Sequence, residues 1–469
     1  VKEARLIAAV LACGFAWSAP AFAGPGDEKT AAEAGSAGGE SVKALSVDDC
    51  VAIALRRSAR LQAAAADVKT WQAKVQEVDA LLSPNIQATG FIAPMFGARG
   101  GIGVAGSYEN DLTDWGPYAH ADARVVLPLA TFGRQSAAMK AAKARTAVQK
   151  QRKREIAHAV RRNVRKLYGL KLYAQSMLPS LNNAAKVIET ALDKAREKYD
   201  EGTGEVTMAD VMKLKYGVGE VQRYIRRAQD GAELAGYALR QAMGMSATHP
   251  LKLSVSRLSR RPKAPPPLDE LVARAMKSRP EILQVRHGEE ATAALIRAEN
   301  LANMPVLFAA LVGQVDWSPV RPSGYSSVTF NTFNDYFVGV AVGLRLSTTP
   351  GVVSAKEAAA RAKQAWVLAQ KRRAATGIPL TVRKAWMDVR QQRALARIAG
   401  KQVKAARKWM TFAATAWATG TGEPKDVLEG VGAYLKAKNA YYEHLLGGWQ
   451  AQAELEQATG ADDVKDKGE

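Results

Sequence analysis

The sequence predicts a mainly helical chain built as two structural repeats, each adding two membrane-type β-strands to long coiled-coil helices. Three observations carry this reading. Short motifs recur at a nearly constant offset. Two long segments almost free of Gly and Pro place apolar residues at alternating three and four spacing, the coiled-coil period. Four segments of roughly 9–12 residues alternate with a period of two, as barrel walls do.

The N-terminal residues read as an address. Lys2 and Arg5 precede an uncharged run from Leu6 to Trp17, and Ala21-Phe22-Ala23 is a small-x-small cleavage site. Residues 1–23 therefore read as a secretory signal peptide. Val10-Leu11-Ala12-Cys13 also resembles a lipoprotein box, which leaves lipidation of Cys13 open. Residues 24–44, rich in Gly, Ala, Ser and Glu, read as a flexible arm. The net charge of +21 first suggests nucleic acid. Export removes that ligand, so no nucleic-acid partner is expected. Two cysteines exclude a disulfide-dense scaffold, and cleavage leaves Cys50 alone.

The first repeat is placed at 45–245 and the second at 268–460. Val51-Ala52 and Ala54-Leu55 match Val272-Ala273 and Ala275-Met276 at an offset of 221. Gly202-Thr203-Gly204-Glu205 matches Gly420-Thr421-Gly422-Glu423 at 218, and Gln241-Ala242 matches Gln457-Ala458 at 216. Chance likeness between Ala-rich helices would not hold that register.

Each repeat opens with a helix, Val47 to Leu82 in the first, ending before Pro84. Strands follow at about 85–96 and 118–129, and at about 306–317 and 336–346. Ile86, Ile92, Val125, Leu127, Val338 and Val340 fall on apolar faces. His120, Asp122, Arg124 and Arg345 fall opposite and are the candidate lumen residues of a barrel. Long loops, Gly97 to Pro117 and Ser318 to Asp335, join each pair. Trp115, Tyr118, Trp317, Tyr336 and Phe337 are placed at a water–lipid boundary. A soluble sandwich with one face on a core remains the competing reading of the strands. Four strands cannot close a barrel, and open edges in lipid are forbidden, so a barrel requires further copies of the chain.

Long helices complete each repeat. Arg134 to Tyr199 spans on the order of 100 Å, and Val352 to Trp417 repeats its length. Kinks are expected at Pro179 and at the break Gly377-Ile378-Pro379, and Lys171 interrupts the apolar stripe. Residues 246–267, ending in Ala264-Pro265-Pro266-Pro267, form the linker between repeats, and 461–469 a polar tail.

With these features in place, the chain resembles the TolC-like outer-membrane efflux protein family over nearly all of its mature length. The likeness rests on the doubled element order and on Ser83-Pro84-Asn85-Ile86. It rests also on Pro128-Leu129-Ala130-Thr131-Phe132-Gly133-Arg134 and on the Gly202–Gly204 and Gly420–Gly422 turns. The resemblance implies a homotrimer whose subunits each give four strands to a 12-stranded barrel in the outer membrane, continuous with a periplasmic α-helical barrel. It implies a passive exit duct of a tripartite efflux or type I secretion system, coupled through a periplasmic adaptor to an inner-membrane transporter. By the same resemblance Asp426, Glu429 and Asp210 line the periplasmic aperture. Gly202, Thr203, Gly204, Gly420, Thr421 and Gly422 form the adaptor-contacting helix tips. Gly422 stands where family members can carry a basic gating residue.

From the residues alone, Asp210 and Asp426 are equally well read as first-turn acids that favour a helix dipole. No catalytic constellation is present: the five His are scattered, and neither a phosphate loop nor a nucleophile elbow appears. No enzyme activity, cofactor or metal is expected. The alternative function is a periplasmic coiled-coil scaffold or adaptor without a membrane barrel.

Overall fold

The computed structural model describes residues 44–99, 109–202, 204–259, 263–321 and 333–460. The signal peptide with Cys13, nearly all of the arm, Thr203 and the polar tail lie outside the described residues. Two compact units are present.

The order of elements occurs twice. In the first pass α1 (Val47–Arg57), α2 (Ala59–Asp79) and a 3₁₀ turn (Ala80–Leu82) lead to β1 (Asn85–Arg99) and β2 (Glu109–Ala130). Then come α3 (Arg134–Asp200) and α4 (Met208–Ala242). In the second pass α5 (Leu268–Ser278), α6 (Pro280–Asn300) and a 3₁₀ turn (Leu301–Asn303) lead to β3 (Val306–Trp317) and β4 (Asp335–Arg345). α7 (Pro350–Thr419) and α8 (Pro424–Thr459) follow.

Three sequence expectations change. The helix expected over 47–82 is divided at Ser58, whose backbone turns extended (ψ 115°). Arg279 does the same in the second pass (ψ 130°), where Pro280 bars it from helical geometry. Without a proline after Ser58, the first break has no local signal. Second, β2 begins at Glu109, so the expected loop 97–117 is largely strand. The pairing continues beyond a bulge between Phe96 and Gly97. Third, no break interrupts α7 at Gly377–Pro379, while α3 runs through Pro179 as one long helix, as expected. Ile378 and Val382 are buried beside one proline, Met177 and Leu181 beside the other. Tertiary burial therefore outweighs the one lost helix bond at each site.

The first unit contains the described residues up to Val68, Gln149–Gln284 and those from Gln370 onward. Its core has three clusters. One gathers Cys50, Val164, Tyr168, Leu172, Leu239 and Leu445 around α1, α3, α4 and α8. A second joins Ile188, Leu192, Leu214, Trp417, Val427 and Val431 beneath the two helix–helix turns. A third packs α5 and α8 on α7 through Leu271, Val382, Val389 and Leu455. The linker is tied down as well. Leu45 bridges to Leu253, the Leu258 amide donates to Ser176 Oγ (2.8 Å), and Trp386 Nε1 donates to the Pro266 carbonyl (2.9 Å). Lys171 lies half-buried across Gly236, and burial pushes its amine pKa down.

The second unit, Lys69–Val148 and Val285–Ala369, holds the sheet. Its order is β1-β2-β3-β4, antiparallel throughout. Sequence-adjacent strands pair, and β2–β3 joins the two repeats. The passage from β2 to α3 uses left-handed backbone at Phe132 (φ 48°) and Gly133 (φ 92°). Thr131 Oγ1 then accepts the Gln135 amide (3.2 Å) at the start of α3.

Candidate functional site

Two surfaces carry chemistry, one in each unit. On the sheet, the register sorts side chains into two faces. Ile92, Ala119 and Trp317 stand in line, as do Leu311, Val125 and Val340. Ile86, Ile92, Val338 and Val340 on this apolar face are each more than 70% exposed. A folded chain does not leave such a face in water, so something apolar must cover it.

The opposite face holds every lumen candidate. His120 pairs with Phe91 and Asp316, Asp122 with Thr89 and Gln314, Arg124 with Gln87 and Val312, and Arg345 with Val306. The Arg345 guanidinium lies 4.9 Å from the Phe308 ring centroid. The centre of this face is a residue that sequence reasoning missed. The Asp316 side chain is 2% exposed. It accepts hydrogen bonds from the Tyr118 hydroxyl and from Gln314 Nε2 (2.5 Å), and His120 Nδ1 lies 2.7 Å away. His120 Nε2 is 3.3 Å from Asp122. A buried carboxylate needs such partners, and these come from both repeats. The signal was the parity of Asp316, which alternates with Val315 and Trp317. The same register corrects the aromatic belt. Trp115, Trp317 and Tyr336 stand on the apolar face, but Tyr118 and Phe337 fall on the polar one.

The second surface is the pair of helix–helix turns. Gly202 (φ 65°), Gly204 (φ 71°) and Gly420 (φ 81°) adopt the left-handed backbone that glycine tolerates. Gly422 is glycine for another reason. A Cβ there would sit 2.9 Å from Ala416 Cβ and 3.0 Å from the Trp417 nitrogen. The Thr421 and Gly422 amides both donate to the Ala416 carbonyl, at 3.0 and 3.1 Å. Lys198 Nζ contacts Glu205 (2.7 Å) and lies 5.4 Å from the Trp417 ring centroid. Trp417 Nε1 donates to the Ala191 carbonyl (3.3 Å). Thr203 lies outside the described residues.

The three candidate acids have different surroundings. Asp210 completes a capping box with Thr207, and Lys213 Nζ is 3.1 Å from it. The Thr207 hydroxyl and then Lys213 hold its carboxyl below the ordinary range. In the second repeat Glu423 replaces Thr207 and forms no side-chain cap. Asp426 is exposed and makes no capping bond. Glu429, three residues on, meets Lys425 at 3.7 Å. The structure thus groups Asp426 with Glu429 on one helical face and ties Asp210 to its own turn.

Among the described residues no group of three or more His, Cys, Asp or Glu is placed to hold a metal. No described helix is long and apolar enough to cross a membrane.

No protein-family model matches the sequence, and no curated protein matches it at a significant level. Solved structures do match. The Campylobacter jejuni CmeC outer-membrane channel aligns with TM-score 0.72 and 13% identity, covering 95% of this chain and 97% of that one. The Vibrio cholerae outer-membrane protein VceC aligns with TM-score 0.69 and 16% identity, covering 88% and 96%. The open state of the Neisseria gonorrhoeae MtrE outer-membrane channel aligns with TM-score 0.65 and 19% identity, covering 88% of each. The chain shares the fold of the TolC-like outer-membrane channels. At these identities the likeness speaks for the fold.

Proposed function

We propose that the chain is one subunit of a passive outer-membrane exit duct of a Gram-negative cell. The observation that carries this reading is the sheet itself: four strands with an exposed apolar face and, among the described residues, unpaired outer edges on β1 and β4. Lipid covers the apolar face, and only closure with further sheets satisfies the edges. Three copies close a 12-stranded barrel, with His120, Asp122, Arg124, Arg345 and the buried Asp316 on its lumen side. The helices of the three copies form a periplasmic α-helical barrel. The outer-membrane localisation follows from the same closure.

The helical unit supports assembly independently. A groove of about 890 Å³ runs between α3, α4 and α8, lined by Leu167, Met177, Leu181, Leu234 and Leu435 among others. α7 presents Ile398, Trp409 and Phe412 as an exposed apolar flank. Groove and flank differ, so one copy's flank entering the next copy's groove makes a head-to-tail contact that closes into a ring.

In this reading the duct hydrolyses nothing. An inner-membrane transporter supplies the energy, through a periplasmic adaptor that meets the turns at Gly202–Gly204 and Gly420–Gly422. Three copies of Asp426 and Glu429 form carboxylate rings that favour cations at the aperture. Purified protein should run as a trimer in detergent and conduct ions across planar bilayers. Asp426→Asn with Glu429→Gln should lower its cation preference. Recovery from the soluble periplasm without detergent, with no conductance, would instead establish the coiled-coil scaffold.

A further inference from the structure

α7 carries a second exposed flank, and it is cationic. The helix's buried positions keep the register of a four-and-three stripe: Ile378, Val382, Ala385 and Val389, then Ala396 and Ala399, then Met410, Ala413 and Trp417. One residue beyond Val382, Val389 and Ala396, and beyond the half-buried Val403, stand Arg383, Arg390, Arg397 and Lys404, seven residues apart and all exposed. Lys401 and Lys408 stand beside them, again seven apart and exposed. From Val389 to Gly422 the chain has no Asp or Glu.

These side chains form no ion pair among the described residues. Arg390 rests over the Trp386 ring (4.6 Å). Elsewhere exposed arginines on helices find acids close by, as Arg361 does with Glu357 and Arg226 with Asp230. Cations at Arg397, Lys401, Lys404 and Lys408 repel their neighbours three or four residues away, a cost to the isolated helix. The row is not a by-product of duplication. At the 218 offset Arg383, Arg390, Arg397 and Lys404 correspond to Arg165, Leu172, Pro179 and Lys186. Of these, Arg165 is bonded to Glu456.

We propose that this row is a docking track for an acidic α-helix of a partner protein, with carboxylates repeating every seven residues. The spacing selects that partner. A seven-residue repeat keeps the row straight along the coil axis, presenting one cation about every 10.5 Å. A helix packed alongside with the same repeat meets each in turn, whereas an irregular polyanion meets few. A second copy of this chain is a poor occupant. On α4 three of the four acids are matched locally, Glu220 by Arg223, Asp230 by Arg226 and Asp210 by Lys213. The proposal specifies the chemistry of the duct's periplasmic partner and rests on that reading for its compartment.

The test uses the full chain, assembled in detergent. Three probes are titrated: a synthetic helical hairpin with Glu at every seventh position, a hairpin of the same composition with those Glu scrambled, and poly-L-glutamate. The regular hairpin should bind at least tenfold more tightly than either control and weaken as salt rises. Arg390→Glu, Arg397→Glu and Lys404→Glu together should abolish that advantage, and the Gln versions should halve it or more. Bilayer conductance of every variant is measured alongside and should not change. Equal binding of all three probes would reduce the row to general polyanion adhesion and overturn the track. So would equal binding by wild type and the Glu variant. Binding without conductance would sink the duct and leave the track standing. Conductance without selective binding would do the reverse.

Discussion

Gly430→Ala tests how closely α7 and α8 approach. A Cβ at Gly430 would lie 2.9 Å from Met410 Cα and 3.3 Å from Met410 N, with Ala413 Cβ at 3.7 Å. The two nearest atoms are backbone, so no rotamer change relieves them. Alanine gains about 1 kcal/mol over glycine in a helix interior. Overpacking a filled site costs about 1–3 kcal/mol. The net expectation is a loss of about 1 kcal/mol, and separation of the helices if the clash is not absorbed. Gly219→Ala on α4 is the internal control. Its Cβ meets nothing within 4 Å, so the propensity gain acts alone and stabilises by about 1 kcal/mol. Hydrogen exchange reads both as local opening. Amides around 428–432 should exchange several-fold faster in the first variant, and those around 219 several-fold slower in the second. Unchanged or better protection in Gly430→Ala would refute the packing argument.

Thr207→Ala should loosen the start of α4 by about 1 kcal/mol, seen as faster exchange at residues 208–212. The paired carboxyl adds a pH dependence. Because the folded pKa of Asp210 is depressed, its contribution is complete above the ordinary carboxylate value of about 4 and is lost as pH falls through the lower folded value. Asp210→Asn should flatten that acid-side loss. Burial, with Asp49 adding to it, pushes the Cys50 thiol up to about 11. It should therefore resist iodoacetamide at pH 8 in the folded protein and react once urea opens the core.

Sequence reasoning succeeded where a signal is local or repeated. The turn glycines, the strand alternation and the coiled-coil spacing each state their period within a dozen residues. It failed where the deciding partner is distant. Asp316 is explained by Tyr118 and His120, nearly two hundred positions earlier, and only the β2–β3 register brings them together. The helix break at Ser58 needs no proline because its Cys50–Ala54 side is held in the core. Pro379 misleads for the converse reason, since its neighbours Ile378 and Val382 are held in helix by burial. The cation row was partly visible as excess charge, but its regularity emerges only against the buried stripe one residue away.

Duplication explains why aligned residues need not share a task. Asp210 and Asp426 stand 216 residues apart at the same first-turn position. In the first repeat Thr207 and Lys213 engage the carboxylate, and it serves its own helix. In the second, Glu423 and Glu429 occupy those two positions, removing the cap and the cation together. The acid that loses its local partners is the one whose charge projects outward. The same logic applies at Arg165 and Arg383, where Glu456 engages the first and no acid among the described residues engages the second. Exchanging the local partners should therefore exchange the tasks. Glu423→Thr with Glu429→Lys should build a capping box around Asp426, slow exchange at the start of α8, and remove the cation preference proposed for the aperture. Persistence of that preference with the cap in place would separate selectivity from Asp426 and Glu429 altogether.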